Sequence, residues 1–255
     1  MTFDSIIGAV EAKKELFAGK KGIYFLKTLM GGAFISLFTF FSFGMAFAAY
    51  KFDPRLALPA VALTFGVSLV MIIMTGSELF TSNCFSLPVG LYGKKITLRE
   101  VLKIGGVCYL GNFAAIFVIV SGFCLTKSYP EGFGEFVAFI LAPRYGCNAA
   151  QLVYKGVMCN FAVCTGTYIS FKLKSEAAKI ILIYISVAAF VISGFEHSIA
   201  NMAAFSLGFW LEPGFDVLSA VGSLLTVTLG NIVGGAFLLG LPVYFIEKYN
   251  FKRHF

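Results

Sequence analysis

The sequence predicts an all-α membrane protein: six transmembrane helices in two inverted three-helix repeats, with helices 2 and 5 interrupted. Four observations carry that expectation. Apolar residues make up 58% of the 255-residue chain and charged residues 13%, with a mean hydropathy of +0.86. The apolar positions form runs long enough to cross ~30 Å of hydrocarbon, which takes about 20 helical residues. Basic residues gather on alternate loops, and one set of polar residues returns at a fixed spacing.

In chain order, Phe3–Phe25 sets apolar residues at helical spacing among Lys and Glu. That pattern suits an amphipathic helix at the membrane surface, and residues 1–27 are assigned to it. No small-residue cleavage site follows, so no signal peptide is expected. The predicted spans are Thr28–Tyr50, Leu56–Leu91 with an interruption, Lys103–Leu125, Gln151–Phe171, Lys179–Trp210 with an interruption, and Val217–Phe245.

Six spans put both termini on one side. Fifteen of the 20 basic residues lie there, in the N-terminal segment, in the loops after the second and fourth spans, and in the tail from Lys248 to Arg253. The opposite loops hold Lys51, Arg55, Lys127 and Arg144, leaving Lys155 at the start of the fourth span. The positive-inside rule therefore predicts a multi-pass protein of the cytoplasmic (inner) membrane with both termini cytoplasmic. The net charge of +7 follows from this placement, so the lipid bilayer is the expected partner and nucleic acid is not. Five of the six cysteines fall within or beside apolar spans and none forms a CxxC pair. They read as packing thiols, without disulfide, metal or cofactor. No nucleophile–base set or metal-ligand cluster is present, which argues against an enzyme.

The interruptions repeat. Gly76, Glu78 and Asn83 in the second span return as Gly194, Glu196 and Asn201 in the fifth, each 118 residues on. Gly111-Asn112 in the third span returns as Gly230-Asn231 in the sixth, 119 residues on. A near-constant shift across two pairs of spans predicts duplicated halves, residues 28–126 and 151–246, within one transport domain of residues 1–255. Because each half has three spans, the second must cross in the opposite sense. Irregular backbone at membrane depth survives only when buried in protein or lining a wet cavity. Paired interruptions therefore point to a transport site; the competing reading is close helix packing at the two glycines.

Three stretches also carry a resemblance: Gly-Ser-Glu-Leu-Phe-Thr-Ser at 76–82, Lys-Gly-Val-Met-Cys-Asn-Phe-Ala-Val-Cys at 155–164, and Gly-Phe-Glu-His-Ser-Ile-Ala-Asn-Met at 194–202. They resemble signature motifs of the formate/nitrite transporter family. The wording from Phe65 to Phe80 is nearest the nitrite branch, and Ser82 departs from it where nitrite-type members often carry Gly. The resemblance implies an aquaporin-like protomer, a homopentamer with one pore per subunit, and passage of a small monovalent anion, nitrite or formate. Hydrosulfide is the alternative within the family. A neutral-solute pore would share the architecture but calls for Asn-Pro-Ala repeats at the breaks, which the prolines here do not supply.

His197 is the histidine set in an apolar span; His254 lies in the basic tail. An unperturbed histidine titrates near neutral pH, so His197 is the candidate to hydrogen-bond the anion and to hand it a proton, which lowers its desolvation cost. By resemblance Thr81 bonds His197 or the anion; a hydroxyl satisfying its own helix is the alternative. The resemblance places apolar constrictions at Phe65, Leu69 and Phe80 toward the cytoplasm and at Phe190 toward the exterior. Lys155 reads either as an electropositive vestibule or as a side chain snorkelling to headgroups. Asn160 either supports a helix break or contacts the anion. Glu78 and Glu196 are read as acceptors for backbone N–H groups of the broken helix ends, with Asn83 and Asn201 in similar parts.

Overall fold

Every element of the computed structural model is helical, and no strand occurs among residues 2–252, which the structure describes. Arg253 and His254 of the basic tail lie outside the described residues, as do Met1, Phe255 and the side chains of Phe251 and Lys252. The chain runs α1 (Thr2–Gly19), α2 (Lys21–Phe52), a 3-10 turn (Pro54–Leu56), α3 (Ala57–Phe65), α4 (Val67–Met74), α5 (Phe80–Tyr92) and α6 (Leu98–Leu125). It continues through α7 (Phe133–Tyr145), α8 (Ala149–Lys172), α9 (Glu176–Ile192), α10 (Ser198–Leu211), α11 (Val217–Val233), a π-helical segment (Gly234–Gly240) and α12 (Leu241–Lys252).

Four stretches are long and apolar enough to cross a membrane: Lys21–Phe52, Pro54–Met74, Leu98–Leu125 and Val217–Asn250. The expected fourth and fifth spans do not reach that measure, for different reasons. α8 is diluted by Gln151, Lys155, Asn160 and several hydroxyls, and the fifth is cut into α9 and α10 by its break. Helix starts follow the sequence chemistry. Thr97 and Glu100 form a reciprocal capping box at α6, and Asn148 and Gln151 form another at α8.

Two elements lie where the sequence reading had none or placed them differently. α1 docks Ile6, Ile7 and Val10 into the protein, against Phe85, Val89 and Leu87 of α5, so its apolar stripe is covered by helix. α7 occupies the stretch between the third and fourth expected spans and buries Phe136, Val137 and Leu141 completely.

Two seams hold the helices at backbone distance. α2 meets Asn112 O of α6 at Gly32 and Glu78 O, before α5, at Gly31, and α8 meets α11 and the π-helical segment at Gly156, Gly230 and Gly234. A Cβ on Gly156 would lie 2.7 Å from the Val227 carbonyl, closer than any carbon tolerates.

Candidate functional site

Both interruptions are built the same way. α4 ends in a Schellman turn at Gly76 (φ +66°), with Ser77 N–H donating to Ile72 O at 3.0 Å and Gly76 N–H to Ile73 O at 3.2 Å. α9 ends identically at Gly194 (φ +66°), through Phe195 N–H to Phe190 O at 3.1 Å and Gly194 N–H to Val191 O at 3.0 Å. A left-handed residue costs an L side chain roughly 1–2 kcal/mol, which is why glycine stands at both. The chain then runs extended through Leu79 and His197 before α5 and α10 begin.

An asparagine from a neighbouring helix plugs each gap. Asn112 Nδ2 donates to Thr28 O at 2.7 Å and Glu78 O at 2.9 Å, while its Oδ1 accepts from Phe80 N–H at 3.0 Å. Asn231 Nδ2 donates to Gly156 O at 2.8 Å and Glu196 O at 3.0 Å, and its Oδ1 accepts from Ser198 N–H at 2.9 Å. Both residues are fully buried. A side-chain amide suits this position because it supplies donors and an acceptor at once.

The two glutamates do not cap backbone N–H groups as expected. Glu78 Oε2 accepts from Asn83 Nδ2 at 2.9 Å and pairs with Lys13 of α1 at 2.8 Å. Glu196 Oε2 accepts from Asn201 Nδ2 at 2.8 Å and pairs with Arg144 Nε of α7 at 3.1 Å. Lys13 also reaches Asn83 Oδ1, and Arg144 reaches Asn201 Oδ1 at 3.3 Å. Capping falls to Asn112 and Asn231 instead. Burying a carboxylate is costly unless it is paired, and each acid has a cation and an amide beside it.

His197 begins α10 and caps it. Its Nδ1 accepts from Ala200 N–H at 3.0 Å, so that nitrogen carries no proton and the ring proton belongs on Nε2. Nε2 meets Thr81 Oγ1 of α5 at 2.9 Å, so the two broken helices touch through this pair. Phe190 stacks on the imidazole, with ring centroids 5.7 Å apart and planes 16° from parallel. Asn160 donates from Nδ2 to Thr81 O at 3.2 Å and Asn231 O at 2.6 Å, tying α8 to α5 and α11. Its Oδ1 is buried without a partner in the described structure. These donations fit support of the break.

His197 borders two cavities. The larger, about 480 Å3, lies on the side of Arg55, Arg144 and Lys155 and is walled by Phe43, Phe65 and Phe190 among others. The smaller, about 10 Å3, is lined by Ser68, Leu69, Leu79 and Val187, with room for about one water. Lys155 lines the large cavity, its Nζ 3.3 Å from Cys147 Sγ. Phe65 and Phe190 border both cavities, so Phe65 sits level with Phe190 rather than in a separate ring with Leu69. Phe80 borders neither. Its ring lies edge-on to Tyr109 at 4.9 Å, and Leu79 faces the small cavity in its place. Leu79 is extended, and successive side chains of an extended chain point to opposite sides.

Sequence reasoning missed Lys13 and Arg144, which were read only as topology signals, and left Asn112 and Asn231 out of the site despite their spacing. Among the described residues, no group of three or more His, Cys, Asp or Glu side chains is placed to hold a metal.

Comparison with known proteins bears on this geometry. The family model described as "Formate/nitrite transporter" matches residues 1–245. The uncharacterized transporter YwcJ of Bacillus subtilis (strain 168) is 32% identical over 241 residues, spanning 91% of this chain and 92% of the relative. The nitrite transporter NirC of Escherichia coli (strain K12) is 30% identical over 232 residues, spanning 87% of this chain and 82% of the relative. A solved structure described as an "FNT family ion channel" superposes with a TM-score of 0.87 at 25% identity, covering 96% of this chain and 98% of the other. Another, described as "Pentameric formate channel with formate bound", gives 0.78 at 25% identity, covering 90% and 99%.

Proposed function

This chain belongs to the formate/nitrite transporter family, and on that premise we propose that it passes nitrite or formate across the cytoplasmic membrane. It is an integral membrane protein and a transporter, not an enzyme. The observation that carries the anion pathway is the His197–Thr81 pair, joining two broken helices at the boundary of the two cavities.

The proposed path enters by the large cavity, where Lys155 attracts the anion. A bent oxyanion with two acceptor oxygens takes His197 Nε2–H and the Thr81 hydroxyl together, donors that lie 2.9 Å apart. These hydrogen bonds offset water lost before the apolar collar of Phe65, Phe190 and Leu69. A proton carried with the anion lowers that cost further. His197 can supply it only after taking a second proton on Nδ1, which breaks the bond from Ala200 N–H. Protonation of His197 and capping of α10 therefore exclude each other.

The remaining parts of the reading follow from the same premise. Six spans form two inverted halves, residues 28–126 and 151–246, with the N-terminal segment 1–27 and the C-terminus cytoplasmic. The matched geometry of the two breaks supports the halves. Five copies associate, as in the pentameric formate channel, through the broad apolar surfaces carrying Leu37, Leu110, Leu218 and Leu229. Hydrosulfide and a small neutral solute are the competing cargoes.

The test is uptake of formate, nitrite and hydrosulfide side by side in proteoliposomes, each at several pH values, with glycerol as the neutral control. Anion uptake that falls away in His197→Asn, or loses its pH dependence there, is expected. Uptake of glycerol alone, or an unaltered pH profile in His197→Asn, overturns the reading.

A further inference from the structure

The large cavity holds far more than the anion proposed to pass it: about 480 Å3, against about 10 Å3 beyond His197. Volumes of about 300–1,000 Å3 accommodate organic molecules of ring size and above. Its walls are apolar and partly aromatic, with Phe43 of α2, Leu58 of α3, Phe139 and Ile140 of α7 and Phe190 of α9. The cations around it are not equivalent. Arg144 is neutralised by Glu196 at 3.1 Å and Arg55 by Asp53 at 2.7 Å. Lys155 has no carboxylate partner among the described residues; its ammonium meets only the Cys147 thiol. The chamber therefore combines apolar walls with one ammonium that no carboxylate among the described residues pairs.

We propose that this chamber binds aromatic monoanions, arylcarboxylates and arylsulfonates, and that a bound one blocks the pathway. The ring lies against the phenylalanines, removing apolar surface from water, and the acid group meets Lys155. Neither half suffices alone. A small anion gains nothing from the walls, and a neutral ring leaves the ammonium unpaired. The ring is too wide for the pocket beyond His197, so the molecule stays where it binds. Blocking rests on the transport reading above; binding does not.

The experiment uses the full chain and three probes: benzenesulfonate, methanesulfonate and benzyl alcohol. Benzenesulfonate stays ionised near neutral pH, so it does not cross the bilayer as a free acid. Binding is read as a rise in the unfolding temperature of the purified protein, and blocking as reduced nitrite or formate uptake into proteoliposomes. Benzenesulfonate is expected to produce both at concentrations where the other two produce neither. Lys155→Met should weaken its binding about tenfold or more. Leu58→Ser, a wall residue outside the proposed anion contacts, should keep uptake and weaken the block. Absence of a benzenesulfonate shift overturns the proposal, as does an equal effect of methanesulfonate or undiminished binding in Lys155→Met. Wild-type protein that binds benzenesulfonate but carries no anion keeps the binding site and overturns the transport reading and the block alone.

Discussion

Asn231→Ala tests the asparagine plug most directly. The substitution removes two donations, to Gly156 O and Glu196 O, and the acceptor for Ser198 N–H. Gly156 O also belongs to the α8 ladder and keeps a helical partner. Glu196 O and Ser198 N–H lie in the gap and are left bare. A buried backbone group stripped of its partner costs about 1–3 kcal/mol, so the two together predict a loss of about 2–6 kcal/mol. Asn112→Ala orphans Glu78 O and Phe80 N–H in the same geometry and should cost a similar amount. Unfolding in mixed micelles of rising dodecyl sulfate fraction, followed by circular dichroism, measures both. A loss below about 1 kcal/mol in either variant would show that water or a shifted backbone satisfies the gap, and would refute the reasoning.

Other perturbations address the charges and the turns. Arg144→Met leaves the nearly buried Glu196 carboxylate without its cation and should destabilise by about 3–5 kcal/mol; adding Glu196→Gln should restore most of that, and no recovery in the same titration would sink the ion-pair account. Lys155→Met should slow nitrite uptake more in dilute buffer than at about 1 M salt, where charges are screened within about 3 Å; an equal deficit at both salts would assign Lys155 a packing part. Gly194→Ala meets open space but a φ of +66°, so its cost should be the backbone strain of about 1–2 kcal/mol. Gly234→Ala drives a methyl into the Val157 carbonyl and should cost more; the reverse ranking by thermal unfolding would contradict the packing of that seam.

The breaks were legible in the sequence because their chemistry is local. A glycine, an acid and an asparagine at matched spacing sit in apolar runs, and a glycine at each turn is what the left-handed residue requires. What the polar residues bond to was not legible. Asn112 reaches carbonyls 84 and 34 residues away, and Lys13 reaches Glu78 across 65, so the partners appear only once helices are packed. Phe80 misled for a similar reason: its direction depends on Leu79 being extended, which the break sets and the motif does not state. α7 went unseen because thirteen residues between spans look like loop, yet three of its side chains are completely buried. Arg144 and Lys13 were read as charge for topology, and each stands on a helix that precedes a longer one, α7 before α8 and α1 before α2.

The seams at Gly31 and Gly32 and at Gly156, Gly230 and Gly234 bring main chain against main chain. A side chain can rotate aside, but a peptide ladder cannot without breaking its own bonds. These seams are therefore places of low mechanical compliance, and they flank both asparagine plugs. Whatever opens the narrow point near His197 has to be small and cheap: the Phe65 and Phe190 rings and the imidazole turning about single bonds inside a fixed frame. A passage opened by such rotations needs no rocking of one half against the other, and its rate should change little between thin and thick bilayers.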